Sequence, residues 1–122
     1  AAGGLEPGVT VRLWSPVHGR YVRMPPGGYV DTADPQQDLG TYFWVLDAGG
    51  GDLAFWNLYQ RRFIALAEDP YLGSTDRPKG QPVPLSARFR VQNNAEGLVW
   101  LWSPGQKRFV CVPETGHLTG SE

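Results

Sequence analysis

The chain has 122 residues, of which 41% are apolar and 19% charged, a composition typical of one globular domain. Eleven basic and twelve acidic residues give a formal net charge of −1, which argues against a protein that binds nucleic acid by neutralising phosphates. The single cysteine excludes an internal disulfide framework, and the longest unbroken apolar run, 98–102, is too short for membrane insertion. The chain carries neither an initiator methionine nor a signal peptide, so we expect a processed chain or an excised domain, and secretion is slightly favoured over the cytoplasm.

Glycine and proline, with sixteen and eleven residues, divide most of the chain into short apolar or alternating segments. This pattern is typical of an all-β sandwich or barrel. One long stretch, 52–69, contains neither residue, and its apolar spacing by itself is also compatible with an amphipathic helix. Internal repetition decides between the two interpretations.

Three segments, 11–24, 53–66 and 99–112, share one pattern without gaps. In each, an arginine follows a tryptophan by six residues, and an aromatic and a branched apolar residue come next. The tryptophans are Trp14, Trp56 and Trp102, and the arginines are Arg20, Arg62 and Arg108. Pro16 and Pro104 fall where the first and third copies would have a helix interior, at a cost of about 3 kcal/mol. All three copies are therefore predicted to form a strand, a turn and a strand.

A third short strand is expected in each copy, near 29–32, 71–74 and 117–119, and a fourth at 41–47 and 87–93. Three copies of a four-strand unit predict an all-β fold of the β-trefoil type. We expect residues 1–8 to be disordered or extended and 9–122 to form one trefoil domain, with repeats at about 9–47, 53–93 and 99–122. The third repeat lacks its fourth strand, and the open barrel edge beside it favours self-association or pairing with a partner.

Strand alternation predicts which side chains face the core. The repeated tryptophans are expected on the outward face, opposite the inward residues of their strands. The predicted core consists of Val11, Leu13, Tyr21, Met24, Val30, Phe43, Val45, Leu53, Phe55, Phe63, Leu66, Leu72, Phe89, Val91, Val99, Leu101, Phe109, Val112 and Leu118.

The first unit reads VRLWS at 11–15 and GRYV at 19–22, and it resembles the repeats of fascin-like β-trefoil proteins. The stretch 87–91 is similar to the strand that opens the next fascin-like repeat. Residues 61–74 are similar to a hairpin of fibroblast growth factors, and 15–23 resemble arabinose-binding trefoil modules. The resemblance extends from Val9 onward and implies the fold. It leaves the activity open among lectins, cytokines, protease inhibitors and actin cross-linkers, because fold does not imply function.

The sequence offers no convincing catalytic arrangement, and we expect no enzymatic activity, cofactor or metal. Cys111 is expected to pack within a strand, and His18 and His117 have no nucleophile or carboxylate at a telling spacing. Two histidines and one cysteine make no zinc motif. The glycines at 49–51 join two strands and are therefore not a phosphate-binding loop.

Outward tryptophans with polar neighbours favour a non-catalytic recognition module that binds glycan, because aromatic faces stack on sugars and anchor interfaces. The alternative is a protein-binding trefoil, either fascin-like and actin-binding or similar to a growth factor or cytokine. In a further interpretation each tryptophan packs on the arginine of its own hairpin, within ~6 Å. The loop 75–87 departs most from the symmetry and is a candidate for recognition. The predicted ligand-binding residues are Trp14, Arg20, Trp56, Asn57, Gln60, Arg62, Trp102, Gln106 and Arg108.

Overall fold

The computed structural model describes residues 6–15, 19–25, 30–33, 39–66, 73–75, 82–93, 99–111 and 119–120. Within these ranges the chain is all-β, as predicted, and 53–66 forms strand, turn and strand. Two short 3-10 helices occur, Leu39–Thr41 and Leu85–Ala87. The strands are β1 Thr10–Val11, β2 Trp14–Ser15, β3 Arg20–Arg23, β4 Asp31–Ala33, β5 Phe43–Gly49, β6 Asp52–Asn57, β7 Arg62–Ala65, β8 Gly73–Thr75, β9 Arg90–Asn93, β10 Val99–Ser103, β11 Arg108–Cys111 and β12 Thr119–Gly120.

The strands form three antiparallel sheets. The largest has the order β1-β5-β6-β7-β8, the second β12-β11-β10-β9, and the third β2-β3-β4. A bridge between Leu53 and Phe89 connects the first sheet to the second. These sheets do not close into a barrel within the part of the chain that is described, and the residues beside the predicted open edge, 112–118 and 121–122, lie outside it.

The three predicted hairpins pair in the same register. Trp14 pairs with Tyr21, Trp56 with Phe63, and Trp102 with Phe109. A backbone N–H closes each turn onto the carbonyl four residues earlier, at 2.7 to 2.8 Å. The residue that donates has a positive φ in all three turns; it is Gly19 (62°), Arg61 (58°) and Lys107 (56°). The closing hydrogen bond and the φ of the donating residue are therefore the same in three turns of different sequence.

This register corrects one prediction about the core. Residues directly opposite each other on paired strands share a face, so Tyr21, Phe63 and Phe109 lie on the outward face with the tryptophans. On the second strand of each hairpin, the residue that faces inward is instead the one that follows the aromatic residue. Val22, Ile64 and Val110 fill it, and all three pack in the main core.

The main core gathers residues from all three repeats. Its buried members are Val22, Met24, Val30, Phe43, Val45, Phe55, Ile64, Leu66 and Phe89. Seven of these were predicted, and Val22 and Ile64 were not. Among the other predicted core residues, Leu72, Val112 and Leu118 lie outside the described residues.

A second, smaller cluster covers the outward face of the middle hairpin. Ala54 and Phe63 pack there with Val83 and Ala87, and Trp56 is half-buried against them. The described part of the long loop, 82–87, therefore covers an aromatic pair.

Candidate functional site

The structure places none of the three repeated tryptophans in the core. Trp14 is 47% exposed, and Trp56 and Trp102 are half-buried. Each indole meets the aromatic ring across the hairpin edge-on, with ring centroids 4.7 Å apart in all three pairs.

The strand register does not place the arginine of each hairpin opposite the tryptophan, as the predicted stacking required. Arg20, Arg62 and Arg108 pair directly with the residue after the tryptophan, on the other face of the hairpin. The residue opposite each indole is therefore the aromatic seven positions later. The one guanidinium placed over described rings is that of Arg12, 3.8 Å from the centroid of Tyr21 and 5.1 Å from that of Tyr42.

Asn57 is not a surface residue. Its side chain is fully buried, its amide donates to the carbonyl of Tyr42 at 3.0 Å, and its Oδ1 accepts from the backbone N–H of Gln60 at 2.7 Å. In this conformation its carboxamide does not reach a ligand, and we leave it out of the proposed site. It ties the 57–60 turn to the residue that precedes β5.

Gln60 and Gln106 hold equivalent turn positions in the second and third hairpins and are half-buried. The backbone N–H of Gln106 donates to the hydroxyl of Ser103 at 3.3 Å, as that of Gln60 does to Asn57. The second and third hairpins thus repeat one local arrangement at this turn position.

A groove lies beside the middle hairpin and is lined by residues that the sequence reasoning did not select. It encloses about 570 Å³, and its lining consists of Thr10, Tyr42, Trp44, Leu58 and Tyr59. The exposed fractions are 43% for Trp44, 67% for Leu58 and 65% for Tyr59. Apart from the hydroxyls and the indole N–H, its walls are apolar, and none of the five side chains is an acid, an imidazole, a thiol or a cation.

Strand pairing brings the groove together from two repeats. Thr10 of β1 lies opposite Trp44 of β5, and Trp44 lies opposite Trp56 of β6. The turn after β6 then carries Leu58 and Tyr59. The indole N–H of Trp44 points towards the carbonyl of Gly8, 3.4 Å away.

Alternation could have identified Trp44. It lies between Phe43 and Val45, which are both fully buried, so its side chain must face outward. Leu58 and Tyr59 carry a weaker signal, since they are large apolar residues at turn positions where the third repeat has Pro104 and Gly105. Their proximity to Trp44 is not readable from the sequence.

The corresponding place between the second and third hairpins is filled. Where the groove has Thr10 and Trp44, the next repeat has Asp52 and Arg90, whose Nε donates to Oδ1 of Asp52 at 3.1 Å. Leu85 lies against the turn there, since a Cβ on Gly105 would be 3.0 Å from its Cγ. The described residues at this second boundary therefore do not repeat the groove.

No metal site or membrane helix accompanies the groove. The described residues bring together no group of three or more histidine, cysteine, aspartate or glutamate side chains. In the same part of the chain, no helix has the length and hydropathy needed to cross a bilayer.

No protein-family model matches the sequence, and a search of curated proteins returns no significant match.

Proposed function

We propose that the chain is a β-trefoil recognition module that binds a neutral glycan in the groove beside the middle hairpin. The observation that carries the proposal is an open, aromatic groove whose five described lining residues include no charged side chain. The trefoil arrangement is supported by three hairpins of equal register, each with a positive φ at the residue that closes its turn.

The chemistry of the lining suits a sugar. Trp44 and Tyr59 have exposed rings, and aromatic faces pack well against the C–H face of a pyranose. The hydroxyls of Thr10, Tyr42 and Tyr59 are donors and acceptors for sugar hydroxyls.

The test is a glycan array, followed by calorimetric titration of any neutral oligosaccharide that binds. Trp44→Ala should weaken binding about tenfold, the equivalent of losing about 1.4 kcal/mol of stacking. Trp14→Ala is the matched control, because Trp14 is similarly exposed and does not line the groove. An array without a neutral ligand, or equal losses in the two variants, would contradict the proposal.

A protein ligand is the second candidate, and one observation favours it. Leu58 and Leu85 are aliphatic and 67% and 59% exposed, and exposed leucines anchor protein interfaces more often than sugars. Co-sedimentation with actin filaments tests the fascin-like version, and retention on heparin tests the growth-factor-like version. Leu58→Ser should abolish such binding while leaving the fold intact.

A further inference from the structure

A second aromatic surface lies on the outward face of β9, β10 and β11. The centroids of Trp100 and Phe109 are 5.3 Å apart with an interplanar angle of 85°, and those of Trp102 and Phe109 are 4.7 Å apart at 64°. Trp100 is 51% exposed. The opposite face of the same strands contributes Val91, Leu101 and Val110 to the core, so the aromatic side chains point away from it.

Two polar side chains lie next to these rings. Strand pairing places Gln92 directly opposite Trp100, and Arg90 directly opposite Trp102. Residues opposite each other in an antiparallel pair have Cβ atoms about 4.5–5.5 Å apart and share a face. Gln92 is exposed, and the side chain of Arg90 is 53% exposed. Gln92 and Arg90 are therefore the cross-strand neighbours of the two indoles on one face, and both are exposed.

Among the described residues, two arginines share one carboxylate at the edge of this surface. Arg88 and Arg90 both approach the nearly buried carboxylate of Asp52, with Nε–O distances of 3.4 and 3.1 Å. Arg88 also donates to the carbonyl of Gly49 at 2.8 Å. Arg90 uses only its Nε, and its terminal nitrogens bond no other residue in the described ranges. One carboxylate thus faces two guanidinium groups, and the excess positive charge lies on the exposed one.

We propose that Arg90, Gln92, Trp100 and Trp102 form a second site, which binds a pyranose carrying a carboxylate, such as a uronic acid residue of a glycan. The indole of Trp100 stacks on the sugar ring, and the terminal nitrogens of Arg90 bind the carboxylate. Arginine suits this role because its planar fork matches a carboxylate in two parallel hydrogen bonds. The carboxamide of Gln92 bonds a ring hydroxyl. This site shares no residue with the groove and differs from it in charge.

The experiment titrates the protein with tri-galacturonic acid and, as the matched neutral probe, with its methyl ester. The acid should bind at least about tenfold more tightly than the ester, and its affinity should fall as salt is raised. Arg90→Gln and Trp100→Ala should each weaken binding of the acid by about tenfold or more, and Arg90→Lys should weaken it less.

Arg61→Asn is the charge-matched control, because it removes one exposed guanidinium from the turn after β6, where asparagine tolerates the positive φ. It should leave binding of the acid unchanged. Because Arg90 also contacts Asp52, the melting temperature of each variant is measured, and Trp100→Ala tests the site without touching that ion pair.

Three results would overturn the second site: no binding of the acid, equal binding of acid and ester, or unchanged binding in both Arg90→Gln and Trp100→Ala. The groove is tested separately through neutral sugars and Trp44→Ala. A protein that binds the acid but no neutral glycan would refute the proposed groove site and support this second site. A protein that binds a neutral glycan but not the acid would support the groove site and refute the second one.

Discussion

Replacing Asn57 tests how the two walls of the groove are held together. Its fully buried side chain donates to the carbonyl of Tyr42 and accepts from the N–H of Gln60. Tyr42 belongs to one wall, and the turn held by Gln60 carries Leu58 and Tyr59 of the other. Asn57→Ala removes both bonds, whereas Asn57→Ser should keep the bond to Gln60, since Ser103 makes that bond to Gln106 in the third hairpin.

The expected magnitudes follow from those bonds. Each is worth about 1 kcal/mol net, and a partly buried partner left without a bond costs about 0.5–1 kcal/mol more. Asn57→Ala should therefore lower the free energy of unfolding by about 3 kcal/mol, and Asn57→Ser by about half of that. For a domain of this size, 1 kcal/mol corresponds to a shift of about 4 °C, so the melting temperature should fall by about 12 and 6 °C.

The assay is urea unfolding followed by tryptophan fluorescence, with calorimetry for the melting temperature and a titration of groove ligand on the folded variants. Asn57→Ser should weaken ligand binding a few-fold, because the walls lose one tie while every lining residue is kept. Variants within about 0.5 kcal/mol of the parent would refute the reasoning, since a buried carboxamide cannot be removed at no cost if its bonds are made. Equal losses for alanine and serine would refute the role assigned to Oδ1.

Three further predictions concern the fold. Arg61→Gly should stabilise the protein by about 0.5–1 kcal/mol, because Arg61 holds a φ of 58° that glycine adopts freely; an unchanged melting temperature would contradict that turn conformation. Ile64→Ala should cost about 3 kcal/mol in urea unfolding, since Ile64 is 2% exposed within the main core, and a loss under 1 kcal/mol would place it on the outward face. Asp52→Ala should cost about 2 kcal/mol by leaving Arg88 and Arg90 without their carboxylate, and Asp47→Ala, at an exposed position near the end of β5, is the control and should cost less.

The strand-turn-strand units were predictable from local sequence. The tryptophan-anchored repeat, with Pro16 and Pro104 in two copies, excluded a helix at 53–66 because the copies must share one structure. The spacing of residues 21–24 also indicated which residue of the second strand faces the core, although the predicted core did not use it. Side chains two residues apart share a face of a strand, and side chains three apart do not. Met24 lies two residues after Val22 and three after Tyr21. An inward Met24 therefore requires an inward Val22.

The binding surfaces depended on contacts between repeats. Asn57 looked like a polar surface residue, because nothing in its own hairpin shows that its amide would meet the carbonyl of Tyr42, fifteen residues earlier. Trp56 also looked available to a ligand from the sequence of its own hairpin, but Val83 and Ala87 pack over that hairpin.

The groove brings together Trp44, which lies on the last strand of one repeat, and Leu58 and Tyr59, which lie in the first turn of the next. Alternation and turn chemistry act over a few residues, and they determined the strands, the turns and which side chains could face outward. Which outward side chains became neighbours was decided by how the sheets pack, because that packing sets distances between residues whose spacing along the chain carries no such information.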